Sequence, residues 1–127
     1  MKNGELHTLI DLLERSCLKF PENAYLWEKR EGGYRSVTYR QTRWEVGDVA
    51  AGLLAGGLQK GDRVALLSEG CNDWVFAELG ILYAGGVNVP LSIKLTDKEL
   101  IFRVRHSGAR FLIVSDYYVA TLRRIEA

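Results

Sequence analysis

The chain has 127 residues and a formal net charge of +1, since 17 lysines and arginines nearly balance 16 aspartates and glutamates. This length suits one domain with one core, and contents of 47% hydrophobic and 26% charged residues exclude a disordered or collagen-like chain. The near-zero charge gives no broad basic surface, so we expect no nucleic-acid or anionic-membrane partner.

The cysteines and the N-terminal residues indicate the cellular compartment of the protein. Cys17 and Cys71 have no second Cys or His at ligand spacing, which predicts neither a zinc site nor a redox pair. The first residues lack the basic and apolar regions of a secretory signal, and no stretch approaches 18 unbroken apolar residues. These features predict a cytoplasmic protein with no transmembrane segment.

The first part of the chain predicts a helix followed by a hairpin. Apolar residues at helical spacing predict a helix over Thr8–Phe20, which a Thr-x-x-Asp capping pair opens and Pro21 ends. Short aromatic and β-branched runs at Ala24–Glu28 and Tyr34–Thr38 flank a turn at Glu31–Gly33. This composition predicts a β-hairpin with short strands.

A second amphipathic helix follows the hairpin. Thr38 and Gln41 form the pattern of a capping box, and the helix should stop at Gly56–Gly57. Large aromatic residues along the chain sit in periodic apolar positions, which favours a core location over a base-stacking surface. The aromatic residues expected in the core are Trp27, Trp44, Trp74, Tyr83 and Phe111.

The remainder predicts strands alternating with helices. Runs at Val64–Leu67, Val87–Leu91 and Phe111–Val114 recur at intervals of about 23 residues, as buried parallel strands do. Two predicted helices separate these strands: a nearly all-apolar helix at Asn72–Tyr83 and a capped helix at Thr96–Ser107. The sequence therefore predicts an α/β fold: a doubly wound, mainly parallel sheet with helices on both faces, plus the N-terminal helix and hairpin.

The last predicted helix begins near Tyr117 and has no Gly, Asn or Pro to stop it before Ala127. We therefore expect residues 1–127 to be one domain, the N-terminal subdomain of a longer protein. An apolar surface left exposed near this helix and along the sheet edge favours a self-contact between two chains. The residues expected to supply it are Tyr117, Tyr118, Val119, Leu122 and Ile125.

Two segments have features of phosphate or anion sites. Gly56–Gly61 has the glycine spacing of a P-loop, but Asp62 replaces the lysine and the helix precedes the strand, so a structural turn is favoured. The turn Ser68–Asn72 precedes a helix N-terminus that could hold an anion weakly, and Glu69 and Asp73 argue against it.

No catalytic, cofactor-binding or metal-ligating residue is predicted. Histidines and serines have no companions at the spacing of a known catalytic motif, which favours surface or capping roles for His7, His106, Ser68, Ser107 and Ser115. Two local basic clusters are interpreted as solvated helix faces. They are Arg103, Arg105 and His106, and the pair Arg123 and Arg124.

Four segments in order resemble the N-terminal subdomain of the adenylate-forming acyl-CoA synthetase family. They are FPENAYLWE at Phe20–Glu28, VTYRQT at Val37–Thr42, the long run at Gly57–Leu91, and TDKELIFRVRHSGARFLIVSD at Thr96–Asp116. The resemblance covers about 110 residues. Ser92–Lys94 departs from the family, which often has another proline there.

The resemblance implies a parent enzyme that activates a carboxylic acid with ATP and Mg²⁺, releases pyrophosphate and transfers the acyl group to coenzyme A. Long-chain fatty acids are the acid class that the style of LSEGCNDW at Leu67–Trp74 implies. The family's S-G-T-T-G phosphate loop, ribose-binding acidic residue and C-terminal lysine have no counterpart in this sequence. The isolated chain is therefore expected to be inactive. The alternative is a self-contained small α/β binding or interaction module without catalysis.

Overall fold

The computed structural model describes residues 5–126, in which helices and strands follow one another largely as the sequence predicts. A short 3₁₀ turn at Asp116–Tyr118 precedes the last helix. The elements are α1 (Leu9–Lys19), β1 (Ala24–Arg30), β2 (Gly33–Thr38), α2 (Tyr39–Ala55), β3 (Arg63–Leu67), α3 (Asn72–Tyr83), β4 (Val87–Leu91), α4 (Asp97–Ser107), β5 (Phe111–Val114) and α5 (Val119–Glu126).

Capping boxes open three helices, as predicted for α1, α2 and α4. At α1 the Thr8 hydroxyl accepts from the Asp11 amide at 3.0 Å, and the Asp11 carboxylate accepts from the Thr8 amide at 3.1 Å. Thr38 and Thr96 cap α2 and α4 in the same reciprocal way. Each box satisfies backbone donors that the first helical turn leaves free, which fixes where the helix begins.

The hairpin is antiparallel, as predicted; β1 ends two residues later and β2 begins one residue earlier than the sequence pattern indicates. Trp27 pairs with Ser36, and the ladder continues to Arg30 opposite Gly33. Gly32 has a φ of +86°, a left-handed backbone conformation that residues other than glycine rarely adopt. The hairpin lies against α2 and α3 through its half-buried residues.

The three remaining strands form a parallel sheet in the order β4-β3-β5, which confirms the predicted parallel pairing. Ala65 of β3 lies opposite Val89 on one side and Leu112 on the other. The chain moves from β3 to β4 in one direction and then crosses back over β3 to reach β5. Right-handed crossovers therefore place α3 and α4 on opposite faces of the sheet.

Core clusters lie on both faces of this sheet, which confirms the doubly wound architecture. Val64 packs with residues of α2 and α3, and Ala65 and Leu67 pack with Leu100 of α4 on the other face. Residues of α5 join this second cluster, namely Leu122 and Ile125 together with Tyr118 of the preceding turn. Much of the apolar surface that the sequence assigns to a self-contact thus packs within the chain. Self-association stays a prediction.

Two of the five aromatic residues expected in the core lie on the surface, so that prediction is wrong for them. Trp44 is 71% exposed and Trp27 is 65% exposed. The buried stripe of α2 contains Thr42 and Val46, and Trp44 points about 200° around the helix from Thr42. Trp27 alternates with the inward-facing residues of β1 and so lies on the outer face of the hairpin. Trp74, Tyr83 and Phe111 are half-buried.

A polar contact links the three helices that pack on one side of the molecule. The Tyr83 hydroxyl of α3 donates to Glu14 Oε1 of α1 at 2.5 Å, and Arg43 Nε of α2 donates to the same oxygen at 2.8 Å. The Arg43 hydrogen bond lowers the pKa of Glu14, and burial raises the pKa of Tyr83. One carboxylate therefore holds α1 against both α2 and α3.

Replacing Glu14 with Gln should lower the free energy of unfolding at neutral pH by about 0.5 to 1 kcal/mol, because the charge that attracts Arg43 is lost. Glu14 has a lowered pKa in the folded protein, so its contribution is present above the ordinary glutamate pKa and is lost as the pH falls through the folded value. Urea unfolding at several pH values should show the two proteins converging at acidic pH. A difference that stays constant down to low pH would contradict the ionic contact.

Helices α2 and α3 approach closely at Gly80. A Cβ atom added to Gly80 would lie 2.6 Å from Val49 Cβ and 3.2 Å from the Val46 carbonyl oxygen. Neither neighbour is the flexible end of a long side chain, so the helices themselves would have to separate. The close approach brings α3, which has five buried residues, into the core as the most buried helix.

We predict that Gly80→Ala lowers the free energy of unfolding by about 1 to 3 kcal/mol, because overpacking forces α2 and α3 apart. Gly52→Ala is the matched control, since nothing lies within 4 Å of a Cβ at that exposed position of α2. The control should raise stability by about 0.5 to 1 kcal/mol through helix propensity. Equal effects of the two substitutions in chemical denaturation would show that α2 and α3 do not pack at Gly80.

Candidate functional site

A crevice of about 290 Å³ opens at the carboxyl ends of β3 and β5. After β3 the chain turns into α3 on one face of the sheet, and after β5 it turns into α5 on the other face. The two connections therefore diverge and leave an opening between the strand ends. Open α/β sheets bind their ligands at this kind of position.

The floor of the crevice is held together by serine hydroxyls. Ser115 Oγ donates to Glu69 Oε2 at 2.6 Å, and Ser68 Oγ donates to the Glu69 carbonyl oxygen at 2.9 Å. The Ser115 hydrogen bond lowers the pKa of Glu69. The Ser115 amide also donates to the Leu67 carbonyl oxygen at 3.1 Å, which ties the two strand ends together. Ser68 and Ser115, which the sequence assigned to surface or capping roles, thus shape the crevice.

The lining is acidic and aromatic. Carboxylates of Glu69, Asp73 and Asp116 lie with the rings of Trp74 and Tyr117, and no Lys, Arg or His among residues 5–126 lines the crevice. Uncompensated carboxylates repel phosphate groups, whereas aromatic faces beside them favour neutral or cationic groups. The crevice as these residues form it does not suit a nucleotide triphosphate.

The N-terminus of α3 borders the crevice and already has an acceptor. Glu28 Oε1 of β1 accepts from the Asn72 amide at 3.1 Å, and Glu28 also pairs with Arg30 at 2.6 Å. The N-cap residue Cys71 provides no side-chain hydrogen bond to the helix. The carboxylate of Glu28 therefore accepts from the helix N-terminus where this turn could have held an anion. No local sequence pattern could reveal this contact, because Glu28 lies far from Asn72 in the sequence.

The glycine-rich segment before β3 forms the structural turn that the sequence predicts. Gly57 and Gly61 adopt φ values of +96° and +88°, which turn the chain from α2 into β3. Asp62 Oδ2 accepts from the Gln59 amide at 2.8 Å and from Arg110 at 2.9 Å. Within residues 5–126 no three His, Cys, Asp or Glu side chains group in a way that could hold a metal ion.

The remaining candidate residues lie apart from the crevice, with the exception of Cys71. Ser107 Oγ donates to the Val104 carbonyl and accepts from the Ala109 amide, which is the predicted capping role. His7 is exposed beside Glu5, and Cys17 is buried with its thiol 3.3 Å from the Tyr39 carbonyl oxygen. Burial raises the pKa of Cys17. The thiol is therefore protonated near neutral pH and unsuited to act as a nucleophile.

The two basic clusters behave differently from each other. Arg124 makes a bidentate contact with Asp97, with both N–O distances at 2.8 Å, and this contact raises the pKa of Arg124. Arg103, Arg105 and His106 are exposed on α4. The Arg123–Arg124 pair is thus partly neutralised within the chain, while the cluster of Arg103, Arg105 and His106 faces solvent.

We predict that Glu28→Ala lowers the free energy of unfolding by about 1 kcal/mol, because the first turn of α3 loses its acceptor. Glu28→Gln keeps an acceptor oxygen and should lose about half as much. Glu22→Ala removes a carboxylate from the exposed pair with Arg40 and is the control, with an expected loss below about 0.5 kcal/mol. Urea unfolding measures all three, and a Glu28→Ala protein as stable as the control would show that Glu28 does not cap α3.

Comparison with known proteins identifies the family. The sequence model of the AMP-binding enzyme family matches residues 13–127. A crotonobetaine/carnitine–CoA ligase of Citrobacter koseri is 30% identical over 104 residues, which are 82% of this chain and 20% of that protein. The acyl-CoA ligase sidI of Aspergillus fumigatus is 32% identical over 114 residues, which are 88% of this chain and 18% of that protein.

The fold agrees with these relatives. The crystal structure of the anthranilate CoA ligase AuaEII in complex with anthranoyl-AMP superposes with a TM-score of 0.86 and 27% identity, over 99% of this chain and 24% of that one. The chain thus spans about a fifth of the length of the curated relatives it matches. No helix in residues 5–126 combines the length and apolar character that a membrane crossing requires. The chain belongs to the family of AMP-binding, adenylate-forming enzymes, whose members include acyl-CoA ligases.

Proposed function

We propose that this chain is the N-terminal part of an acid–CoA ligase, an enzyme that joins a carboxylic acid to coenzyme A through an acyl-adenylate. The observation that carries the proposal is the superposition of nearly the whole chain on the anthranilate CoA ligase, together with the family match from residue 13 onward. In this proposal ATP supplies the adenylyl group and Mg²⁺ offsets the phosphate charge.

The chain's own contribution to such an enzyme is a scaffold. Its sheet is covered on both faces, and the crevice residues are acidic where a triphosphate needs positive charge or free amide groups. The amide at the start of α3 is already bonded to Glu28. We therefore propose that residues outside this chain hold the nucleotide, and that the 127 residues alone are inactive.

The finer proposal concerns the acid. We infer a long-chain fatty acid from the resemblance of Leu67–Trp74 to long-chain members of the family. Relatives at similar identity are named for other acids, among them crotonobetaine, carnitine and 4-hydroxybutyrate, so the acid class needs a direct test. A cytoplasmic location belongs to the same proposal and is supported by the two free cysteines.

The isolated 127-residue chain should release no pyrophosphate from ATP in the presence of palmitate and coenzyme A, and calorimetry should detect no micromolar ATP binding. The reason is the acidic crevice and the lack of a basic phosphate loop in this sequence. Micromolar binding of ATP by the isolated chain would overturn the scaffold role and favour a self-contained binding module.

The whole protein that carries this chain should release pyrophosphate when ATP, Mg²⁺ and a suitable acid are present. A panel of palmitate, butyrate, 4-hydroxybutyrate, crotonobetaine and anthranilate separates the acid classes, and we expect palmitate to give the highest kcat/KM. Activity with a short or aromatic acid alone would reject the fatty-acid proposal and keep the ligase proposal. No acid-dependent pyrophosphate release with any of the acids would reject the ligase.

A further inference from the structure

One side of α4 faces away from the sheet and presents cationic and apolar side chains together. Leu100 and Val104 of α4 pack toward the core, so the opposite side of the helix is free within residues 5–126. A shallow groove of about 450 Å³ runs along that side. We call it the α4 outer stripe, and its residues are Lys98, Ile101, Phe102, Arg105 and His106.

The apolar centre of the stripe is Phe102, which is 64% exposed. Its ring stacks on the ring of His106, one helical turn later, with centroids 5.4 Å apart and planes 9° from parallel. Residues four apart on a helix are neighbours, so this stack holds the Phe102 ring upright at the surface. An exposed, fixed aromatic ring is a common anchor in protein interfaces.

The charges of α4 are segregated. Asp97 is taken by Arg124, and Glu99 Oε2 accepts from the Thr96 amide at 2.8 Å, so both carboxylates of α4 are engaged at its first turn. Lys98 and Arg105 have no ion pair or hydrogen bond from their side chains within the described residues. The stripe itself therefore contains two cations and no carboxylate among residues 5–126.

The exposed surface around Trp44 provides a contrast. Two arginines flank that tryptophan, but Arg40 pairs with Glu22 at 2.6 Å and Arg43 pairs with Glu14 at 2.8 Å. Positive charge near Trp44 is thus already balanced inside the chain. The stripe on α4 combines an exposed aromatic ring with two cations that lack partners among residues 5–126, so its chemistry specifies the charge of what binds there.

The spacing of the stripe also specifies the shape of its partner. Lys98 and Arg105 are seven residues apart, which places them on one side of α4 about 10.5 Å apart along the axis. Ile101 and Phe102 lie between them. A second helix with two carboxylates two turns apart and apolar side chains between them matches this pattern.

We propose that the α4 outer stripe docks an acidic amphipathic helix of a partner protein. Carboxylates of that helix pair with Lys98 and Arg105, and its apolar side chains cover Ile101 and Phe102. The cations fix orientation and steer association, while the burial of Phe102 supplies most of the affinity. The inference concerns a surface that shares no residue with the crevice and does not depend on which acid the enzyme uses.

The test uses the whole protein that carries this chain and a fluorescent helical peptide of about 20 residues, with Glu at two positions seven apart and Leu at the two positions midway between them. The control peptide has Gln in place of both Glu. Fluorescence anisotropy should show that the Glu peptide binds about tenfold more tightly than the control at about 50 mM salt, and that raising the salt to about 300 mM removes most of the difference.

Variants place the binding on α4. Lys98→Gln combined with Arg105→Gln should weaken binding of the Glu peptide about tenfold, and Phe102→Ser should weaken both peptides. Lys60→Gln combined with Arg35→Gln removes the same charge from exposed positions on other elements and should leave binding unchanged. All of these residues are exposed, so the variants should keep the melting temperature of the parent.

Three results would overturn the proposal. One is equal binding of the Glu and Gln peptides, and another is an equal loss in the control variant and the α4 variant. The third is failure of the whole protein to bind the peptide, as expected if the rest of the polypeptide covers α4. A parallel assay measures binding to vesicles of phosphatidylcholine and phosphatidylglycerol. Vesicle binding that the Lys98 and Arg105 substitutions abolish would assign the stripe to a lipid surface.

Discussion

The burial of β3 is the constraint on which the rest of the structure depends. Val64–Leu67 are each at most 2% exposed, because β3 pairs with a strand on either side and has helices on both faces. Only apolar side chains tolerate such a position, and each contributes about 1.5 to 3 kcal/mol by leaving water, with less for Ala65. Because β3 cannot shift, its carboxyl end fixes the turn at Ser68 and so the place where the crevice opens. The chain reverses direction after β4, and handedness alone then places α4 on the face opposite α3.

Much of this fold could be predicted from the sequence because its signals are local. Caps such as Thr38 with Gln41, and continuous apolar runs such as Val64–Leu67, act through neighbouring residues, and they appear in the structure where the sequence places them. The prediction that failed concerns which side of a helix faces the core. Trp44 satisfies a loose helical spacing, yet the buried stripe of α2 lies along Thr42 and Val46, and only packing against α1 and α3 decides which side is inward.

The candidate site was less predictable than the fold because its parts come from distant segments. Glu28 reaches the first turn of α3 from the hairpin, and Ser115 reaches Glu69 from the next strand of the sheet. Sequence patterns describe each residue beside its chain neighbours, so they place Ser68 and Ser115 on the surface without indicating that both contact Glu69. The acidic character of the crevice emerges only when the carboxyl ends of β3 and β5 are brought side by side.

A net charge of +1 hides a separation of charge that the fold creates. Carboxylates collect at the strand ends in the crevice, whereas Lys98 and Arg105, which have no ion-pair partner in the described part of the chain, lie on the solvent side of α4. The reversal of chain direction after β4 carries α4 to the face opposite α3, and the stripe points away from the sheet altogether. Because the two surfaces share no residue, substitutions in one should add to those in the other, as expected for sites without common partners.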